Sequence, residues 1–155
     1  MTNEITRPGP SLAEADVAAC EGRLGRPIPP AYREFLLRHN GGRPERDGFE
    51  VESNGSFESG YCVRRFLGVS HTERTFTLEW VADASKGDVP DEFFPIAVDP
   101  GGNMIGLIVG GERDGQVFFW DHEMPADTTA DVGSREDMFF VAASFAEFFD
   151  KLKAE

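Results

Sequence analysis

The sequence predicts an α+β fold built around a mostly antiparallel β-sheet, and three observations lead to that prediction. Helix-start signals lie near both ends of the chain, at Ser11 and Ser144. Residues 91–123 contain short apolar strands separated by brief turns. Strands so close in sequence must be antiparallel, because a parallel crossover needs about a dozen residues. The length of 155 residues fits one domain, so we expect residues 11–155 to form it after a flexible lead-in at residues 1–10.

The first helix is predicted to begin at a capping box, in which Ser11 and Glu14 accept hydrogen bonds from backbone N–H groups. Val17 and Leu24 recur at the spacing of one helix face, so they should point to the core. Gly25 follows at a position suited to the left-handed conformation that ends many helices. The first helix is therefore expected to end at Leu24.

A proline-rich turn leads into the second helix, for which Pro30 fits the first position. Tyr32 and Phe35 share one face of this helix, as expected for core-facing residues. The run Asn40-Gly41-Gly42 stops the helix, which we expect to end near His39.

The middle of the chain predicts less regular structure. Residues 43–60 are polar, with one short strand expected at residues 49–52 and loop elsewhere. Residues 61–69 are predicted as a longer strand. Its two arginines, Arg64 and Arg65, indicate a sheet face that is partly in contact with water.

Residues 75–84 fit two kinds of secondary structure. Phe76, Leu78 and Trp80 alternate as in a strand, whereas Leu78 and Val81 also fit one face of a helix. The residues alone leave this choice open.

Residues 91–123 are the most strongly β part of the chain. Pro95 lies in an alternating apolar run and favours the start or the edge of a strand. Turn residues are dense at Asp99–Asn103 and at Asp114-Gly115. The strands expected around these turns are 94–98, 104–109 and 116–120.

The C-terminal part predicts one more strand and one more helix. A short edge strand is expected at residues 138–142. Ser144 and Glu147 form a second capping-box pattern at the start of a helix. The core-facing side of that helix consists of Phe145, Phe148, Phe149 and Leu152.

Charge and composition exclude several classes of function. The formal net charge is −13, from 28 acidic and 15 basic residues. Such a chain repels nucleic-acid backbones and anionic membrane surfaces, so we expect neither as a partner, whereas a basic protein would be attracted. Without a visible signal peptide or membrane-spanning run, the protein is expected in the cytoplasm. Cys20 and Cys62 are too few for a disulfide framework and are expected to be buried thiols.

The best candidate for a chemical site is the run Asp121-His122-Glu123 at the end of a predicted strand. These side chains could bind a cation or perform acid–base chemistry. Strand alternation, however, would direct Asp121 and Glu123 to one side and His122 to the other. The Asp99–Asn103 turn lacks the residue pattern of a calcium loop or a phosphate loop. We therefore expect no catalytic residue, no metal site and no cofactor.

Several motifs, taken in their order along the chain, resemble one known family. They are Glu21, Leu24-Gly25, Ile28-Pro29, Tyr32, Phe35-Leu36, Asn40-Gly41-Gly42, Phe66-Leu67-Gly68, Asp99–Asn103 and Trp120–Glu123. Together they resemble the Smi/Knr-type cell-wall regulator domain of the SUKH superfamily. The resemblance implies helices packed against a central, largely antiparallel sheet, and it implies a helix at residues 75–84.

The resemblance also implies that the protein acts through contact with another protein. Bacterial members are immunity proteins that bind and silence a secreted toxin, and fungal relatives regulate the cell wall. We expect a basic partner, for example a nuclease toxin, to bind at exposed acidic positions. The candidate partner-binding residues are Glu45, Asp47, Glu50, Glu112, Asp114, Asp121, His122 and Glu123.

Two alternatives to immunity stay open at this point. The first is a housekeeping interaction module with the same fold and no toxin as its partner. The second is a metal-dependent enzyme that uses Asp121, His122 and Glu123.

Overall fold

The computed structural model describes residues 3–71 and 73–154. Its regular elements, in chain order, are β1 (Ile5–Thr6), α1 (Glu14–Leu24), α2 (Pro30–Arg38), β2 (Arg43–Pro44), β3 (Gly48–Ser53), β4 (Ser56–Cys62), β5 (Arg65–Phe66), α3 (Leu78–Ala84), β6 (Phe93–Val98), β7 (Met104–Ile108), β8 (Val117–Trp120), β9 (Met138–Ala142) and α4 (Phe145–Lys151). Short 3-10 turns at Arg74–Phe76 and Val132–Ser134 precede α3 and β9.

The central sheet contains five strands in the order β5-β6-β7-β8-β9, and each neighbouring pair is antiparallel. This confirms the predicted α+β class. Pro95 lies inside β6 rather than at its start, beside a register irregularity that precedes Ala97. Because β5 pairs only with Ala97 and Val98, the missing N–H of proline removes no ladder bond between β5 and β6.

The prediction for residues 43–69 is wrong in three places, the first being Arg43–Pro44, which form the short strand β2 and not a loop. Residues 53–60 are not all loop, since β3 and β4 form a hairpin through the two-residue turn Asn54-Gly55. Both turn residues have positive φ, as this kind of hairpin turn requires. Nor is there one long strand at residues 61–69: β4 ends at Cys62, and the chain then crosses to the central sheet, where β5 is only two residues long.

The predicted hydration of the arginine pair is wrong for one of the two residues. Arg64 is exposed, but Arg65 is buried in β5. The aromatic ring of Phe76 accounts for part of this burial, because the guanidinium carbon of Arg65 lies 5.0 Å from the ring centroid. An arginine can stack on an aromatic face in this way, since its flat cation is only weakly hydrated.

The first helix begins later than the predicted capping box. Its N-cap is Ala13, and the backbone N–H of Ala13 donates to the carboxylate of Asp16 at 2.8 Å. Asp16 thus takes the role predicted for Glu14, and Ser11 lies outside the helix. The predicted end is confirmed, because Gly25 is left-handed with φ of 72° and donates to the carbonyl of Glu21.

The other three helices begin and end close to their predicted positions. In α2, Pro30 is the first residue and His39 is the C-cap. Residues 75–84 are helical from Leu78 onward, and the Thr77 hydroxyl caps α3 by accepting from the N–H of Trp80 at 3.2 Å. The capping residue of α4 is Ser144, as predicted.

The helices cover one face of the central sheet and bury a large aromatic core. Core residues from α1, α2, α3 and α4 pack against inward-facing residues of β6, β7 and β8. Tyr32 is fully buried there, and its hydroxyl lies within hydrogen-bonding distance of the carbonyls of Leu67 and Ile96. Cys20 is buried in this core, whereas Cys62 is half-buried.

The opposite face of the sheet carries a smaller apolar cluster. Its members are Phe93, Ile108, Phe118, Trp120, Val132 and Met138. The ring of Phe93 lies directly over Gly106, where an added Cβ would come within 2.5 Å of the ring. Gly106 therefore makes room for the aromatic ring that fills this cluster.

The segment before the first helix makes specific contacts with the rest of the domain. Strand β1 pairs with β2. The Asn3 side chain donates to the carbonyl of Arg46 at 2.7 Å and accepts from the Arg46 N–H at 2.8 Å. The buried Asn40 side chain donates to the carbonyl of Pro10 at 2.8 Å. These bonds attach the lead-in to the domain over its described residues.

Candidate functional site

The run Asp121-His122-Glu123 lies at one end of the central sheet, beside the turn that joins β6 and β7. The chain leaves the sheet at Trp120, so the alternation expected for these three residues does not apply. The Asp121 carboxylate instead accepts from the N–H of Glu123 at 3.0 Å, which closes a tight turn.

The Asn103 side chain joins the two segments. Its amide oxygen accepts from the backbone N–H of His122 at 3.0 Å and lies 2.6 Å from Nδ1 of the His122 ring. A carbonyl oxygen can only accept, so Nδ1 is the donor, and Nε2 lies 4.0 Å from a carboxylate oxygen of Glu123. The ring rests on Gly102, where a Cβ would approach it to 3.4 Å. The position of His122 is therefore fixed by the neighbouring turn.

The Asp99 carboxylate stabilises that turn by accepting hydrogen bonds from its residues. It accepts from the N–H groups of Gly101 and Asn103 at 2.9 and 2.7 Å and from the Asn103 side chain at 3.0 Å. All three of these hydrogen bonds are made to residues of the turn. Asp99 is therefore a structural residue in this arrangement, as the predicted tight turn implies.

The buried ion pair Arg135–Asp137 stabilises the same end of the central sheet. Asp137 accepts two hydrogen bonds from Arg135, at 2.9 and 2.8 Å, and one from the indole N–H of Trp120 at 2.9 Å. Burial alone would raise the pKa of Asp137, but these bonds and the charge of Arg135 hold its pKa below the usual value. The carbonyl of Asp137 also accepts from the N–H of Asp121 at 2.9 Å, so the pair helps to position that residue.

Tyr61, at the end of β4, links the small hairpin to this end of the central sheet. Its ring packs against Phe119 with centroids 5.0 Å apart and against Phe49 at 5.8 Å. Burial raises the pKa of the Tyr61 hydroxyl, and the nearby charges of Glu58 and Asp121 raise it further. The charges of two carboxylates thus act on this half-buried tyrosine, one from β4 and one from the residue that follows β8.

We call this region the Tyr61 surface and define it by five residues. They are Glu58, Tyr61, Asp121, His122 and Glu123. The last three are candidates from the sequence, whereas Glu58 and Tyr61 are found only from the structure. The Asn54-Gly55 turn was the signal that could have revealed them, because it places β4 next to β3.

The other acidic candidates do not join the Tyr61 surface in one patch. Glu112 and Asp114 lie in the β7–β8 loop, at the opposite end of β7, whose five residues span roughly 13 Å. The Asp114 carboxylate accepts from the N–H of Gly110 at 2.6 Å, so it takes part in the turn. Both residues are exposed.

The three acidic candidates near β3 lie in different surroundings. Glu45 is exposed, and Asp47 is half-buried. Glu50 is exposed and forms an ion pair with Lys153 at 3.6 Å. Part of its charge is therefore compensated within the chain.

Across residues 3–71 and 73–154, no three His, Cys, Asp or Glu side chains are grouped closely enough to hold a metal ion. Among the described helices, none has the length and apolarity required to cross a membrane.

Comparison with known proteins identifies the family. No curated protein matches the chain. A family model described as the SMI1 / KNR4 family (SUKH-1) matches residues 11–151, which include every helix and nearly every strand described above. This match confirms the resemblance drawn from the sequence motifs. The chain therefore belongs to the SMI1 / KNR4 family (SUKH-1).

Proposed function

We propose that the protein is an immunity protein that binds a cognate protein toxin and neutralises it by contact, using the Tyr61 surface. Its family is known for immunity proteins. The proposal rests on one observation, the half-buried Tyr61, whose ring packs on Phe119 and Phe49 and whose pKa is raised by burial and by the charges of Glu58 and Asp121. Well-packed tyrosines are among the residues that most often dominate the binding energy of a protein interface.

The packing of Tyr61 favours tight binding. Its ring is already held by Phe119 and Phe49, so little rotational freedom is lost when a partner covers it. Glu123 contributes an exposed carboxylate at the edge of the same surface, with 79% of its side chain accessible. A partner could therefore cover a preformed aromatic contact and meet charges around it.

The charge of the protein favours a basic toxin. A net charge of −13 attracts a cationic protein at long range and raises the association rate. Nucleases are one such class, because binding to phosphate backbones requires a basic surface. An acidic immunity protein could block that surface directly.

Catalysis is not part of this proposal. The Asp121 carboxylate and Nδ1 of His122 are both engaged in turn hydrogen bonds. These bonds favour a role in shaping the surface over acid–base chemistry. We infer that the protein acts without a metal or cofactor and has neither nucleic acid nor a membrane as its partner.

The proposal is tested by co-expression with the toxin candidate encoded beside its gene. Wild-type protein should restore growth of the producing cells and co-purify with the toxin. The double variant Glu58→Lys/Glu123→Lys should bind more than about tenfold more weakly, a loss of about 1.4 kcal/mol, and should protect poorly.

A matched double variant controls for net charge. Glu34→Lys/Asp83→Lys reverses two exposed acids on α2 and α3, and it should retain protection. Equal losses for the two double variants would show that overall charge, and not the Tyr61 surface, carries the binding. A wild-type protein that neither binds nor protects would reject toxin neutralisation and favour the housekeeping interaction module.

A further inference from the structure

A cavity lined by four arginines contrasts with the acidic character of the chain. Its volume is about 350 Å³, and its walls include Arg7, Arg43, Arg64 and Arg65. The chain contains only 15 basic residues against 28 acidic ones. More than a quarter of its cations therefore line one small cavity.

The fold brings these arginines together from separate segments. Arg7 follows β1, Arg43 lies in β2, and Arg65 lies in β5. Backbone hydrogen bonds between Gly42 and Phe66, at 3.0 and 2.8 Å, hold β2 beside β5. The arginine cluster is thus built by the tertiary structure and could not be read from sequence spacing.

Arg7 occupies its place in an unusual backbone conformation. Its φ of 52° lies in the left-handed region, which costs a non-glycine residue roughly 1 kcal/mol or more. The His71 ring lies 3.3 Å from the carbonyl oxygen of Arg7 through Nε2. The surrounding structure therefore holds Arg7 where a relaxed chain would not place it.

Arg65 gives the strongest indication that the cavity binds a ligand. It is only 7% exposed, yet its Nε and Nη1 atoms have no hydrogen-bond acceptor among the described residues. Its ion pair with the exposed Glu73 is long, 3.9 Å from Nη2 to the carboxylate. Buried donors without an acceptor are costly, and those on a charged group especially so.

The pKa of the Arg65 guanidinium is consistent with a positive charge that is poorly compensated. Burial lowers the pKa of its guanidinium, and the charges of Arg7, Arg43 and Arg64 lower it further. Glu73 opposes that shift but does not cancel it. The negative charge that the protein supplies here is therefore too small to balance the arginines.

The charged side chains around the cavity predict the sign of the charge on its ligand. Four arginines face the Asp47 carboxylate in the cavity wall and Glu73 beside Arg65, which leaves an excess of two positive charges. The acidic residues elsewhere act weakly here, because exposed charges are screened over about 8 Å at physiological ionic strength. An anion is the complementary ligand.

We propose that this arginine cavity binds a phosphate group, either as inorganic phosphate or as the phosphate of a small metabolite. Arginine presents several N–H donors in a plane that matches two oxygens of a tetrahedral phosphate. The volume lies at the small end of ligand pockets, which hold about 300–1,000 Å³, so a phosphate with a small attached group fits. The lining of this cavity includes none of the five residues that define the Tyr61 surface.

The test is isothermal titration calorimetry of the purified protein with inorganic phosphate and, separately, with adenosine monophosphate. Sodium chloride at matched ionic strength serves as the reference. Saturable binding of phosphate is expected. Clearly tighter binding of adenosine monophosphate would assign the site to a phosphorylated metabolite, and equal binding would assign it to free phosphate.

Variants locate the binding in the cavity. Arg43→Gln and Arg64→Gln alter exposed residues, so these proteins should fold, and each should weaken phosphate binding about tenfold, or about 1.4 kcal/mol. Arg38→Gln removes the same charge from the exposed end of α2 and should leave the affinity unchanged. No saturable binding by wild-type protein, or an equal loss in Arg38→Gln, would overturn the proposal.

Discussion

The buried pair Arg135–Asp137 should be indispensable to the stability of the candidate surface. Their side chains are only 1% and 4% exposed. The substitution Asp137→Asn keeps the shape of the side chain but removes its charge and leaves Arg135 buried without a counter-ion. Breaking a buried pair in this way costs about 3–5 kcal/mol. For a domain of this size, about 2–4 °C of Tm per kcal/mol gives a fall of about 6–20 °C.

The assay is thermal unfolding followed by circular dichroism, with Glu136→Gln as the matched control. Glu136 is the exposed neighbour of Asp137, so its loss of charge should change stability by less than about 0.5 kcal/mol. An Asp137→Asn protein that melts within about 2 °C of wild type would correspond to 1 kcal/mol or less and would refute the reasoning.

The pH dependence of the same pair gives an independent check. The pKa of Asp137 lies below its ordinary value of 3.8 in the folded protein. Its stabilisation is therefore fully present above that value and is lost as the pH falls through the folded pKa. The stability difference between wild type and Asp137→Asn should be constant near neutral pH and should shrink below about pH 4. A difference that grows on acidification would contradict the assignment.

Three further predictions concern other parts of the fold. Ser144→Ala should lower the free energy of unfolding by about 1 kcal/mol, measured by urea titration, because α4 loses its N-cap; an unchanged midpoint would contradict this. Gly106→Ala should lower the free energy of unfolding by about 1–3 kcal/mol in the same assay, because the new methyl group displaces Phe93. A variant as stable as wild type would show that the ring moves freely. In a Cys62→Ser background, Cys20 should resist alkylation at pH 8 until the protein unfolds, because burial raises the pKa of its thiol to about 11. Rapid alkylation of the folded protein would show that Cys20 is accessible.

The sequence allowed prediction of those elements whose buried residues recur at a regular spacing. Tyr32 and Phe35 marked α2 because one helix face must be apolar when it packs on a sheet. The strands between residues 93 and 120 were recognisable because short turns separate buried apolar runs. The family was also identified correctly, since its motifs are structural and occur in order.

The missed elements have no such pattern. Strand β4 is exposed along most of its length, so no alternation of apolar residues distinguishes it from loop. Only the Asn54-Gly55 turn marked it, and that signal was overlooked. Arg65 was predicted on a hydrated face because it is charged, and the ring that covers it, Phe76, belongs to another element.

The candidate site was predictable only in part for the same reason. The run Asp121–Glu123 was identified from its position after a strand. Glu58 and Tyr61 were missed because they reach this surface through the overlooked hairpin. The arginines of the cavity come from the residue after β1, from β2, from β5 and from the chain between β4 and β5, and no local sequence pattern predicts that they meet.

The most direct test of toxin neutralisation is the dissociation constant of the purified protein with its toxin, measured at about 0.15 M and about 1 M salt, where charges are screened over about 8 Å and 3 Å. We expect tight binding by wild type that weakens as salt rises. Glu58→Lys/Glu123→Lys should bind weakly at the lower salt and lose little more at the higher one. Affinity that is independent of salt, and equal for wild type and this variant, would contradict an acidic contact surface around Tyr61.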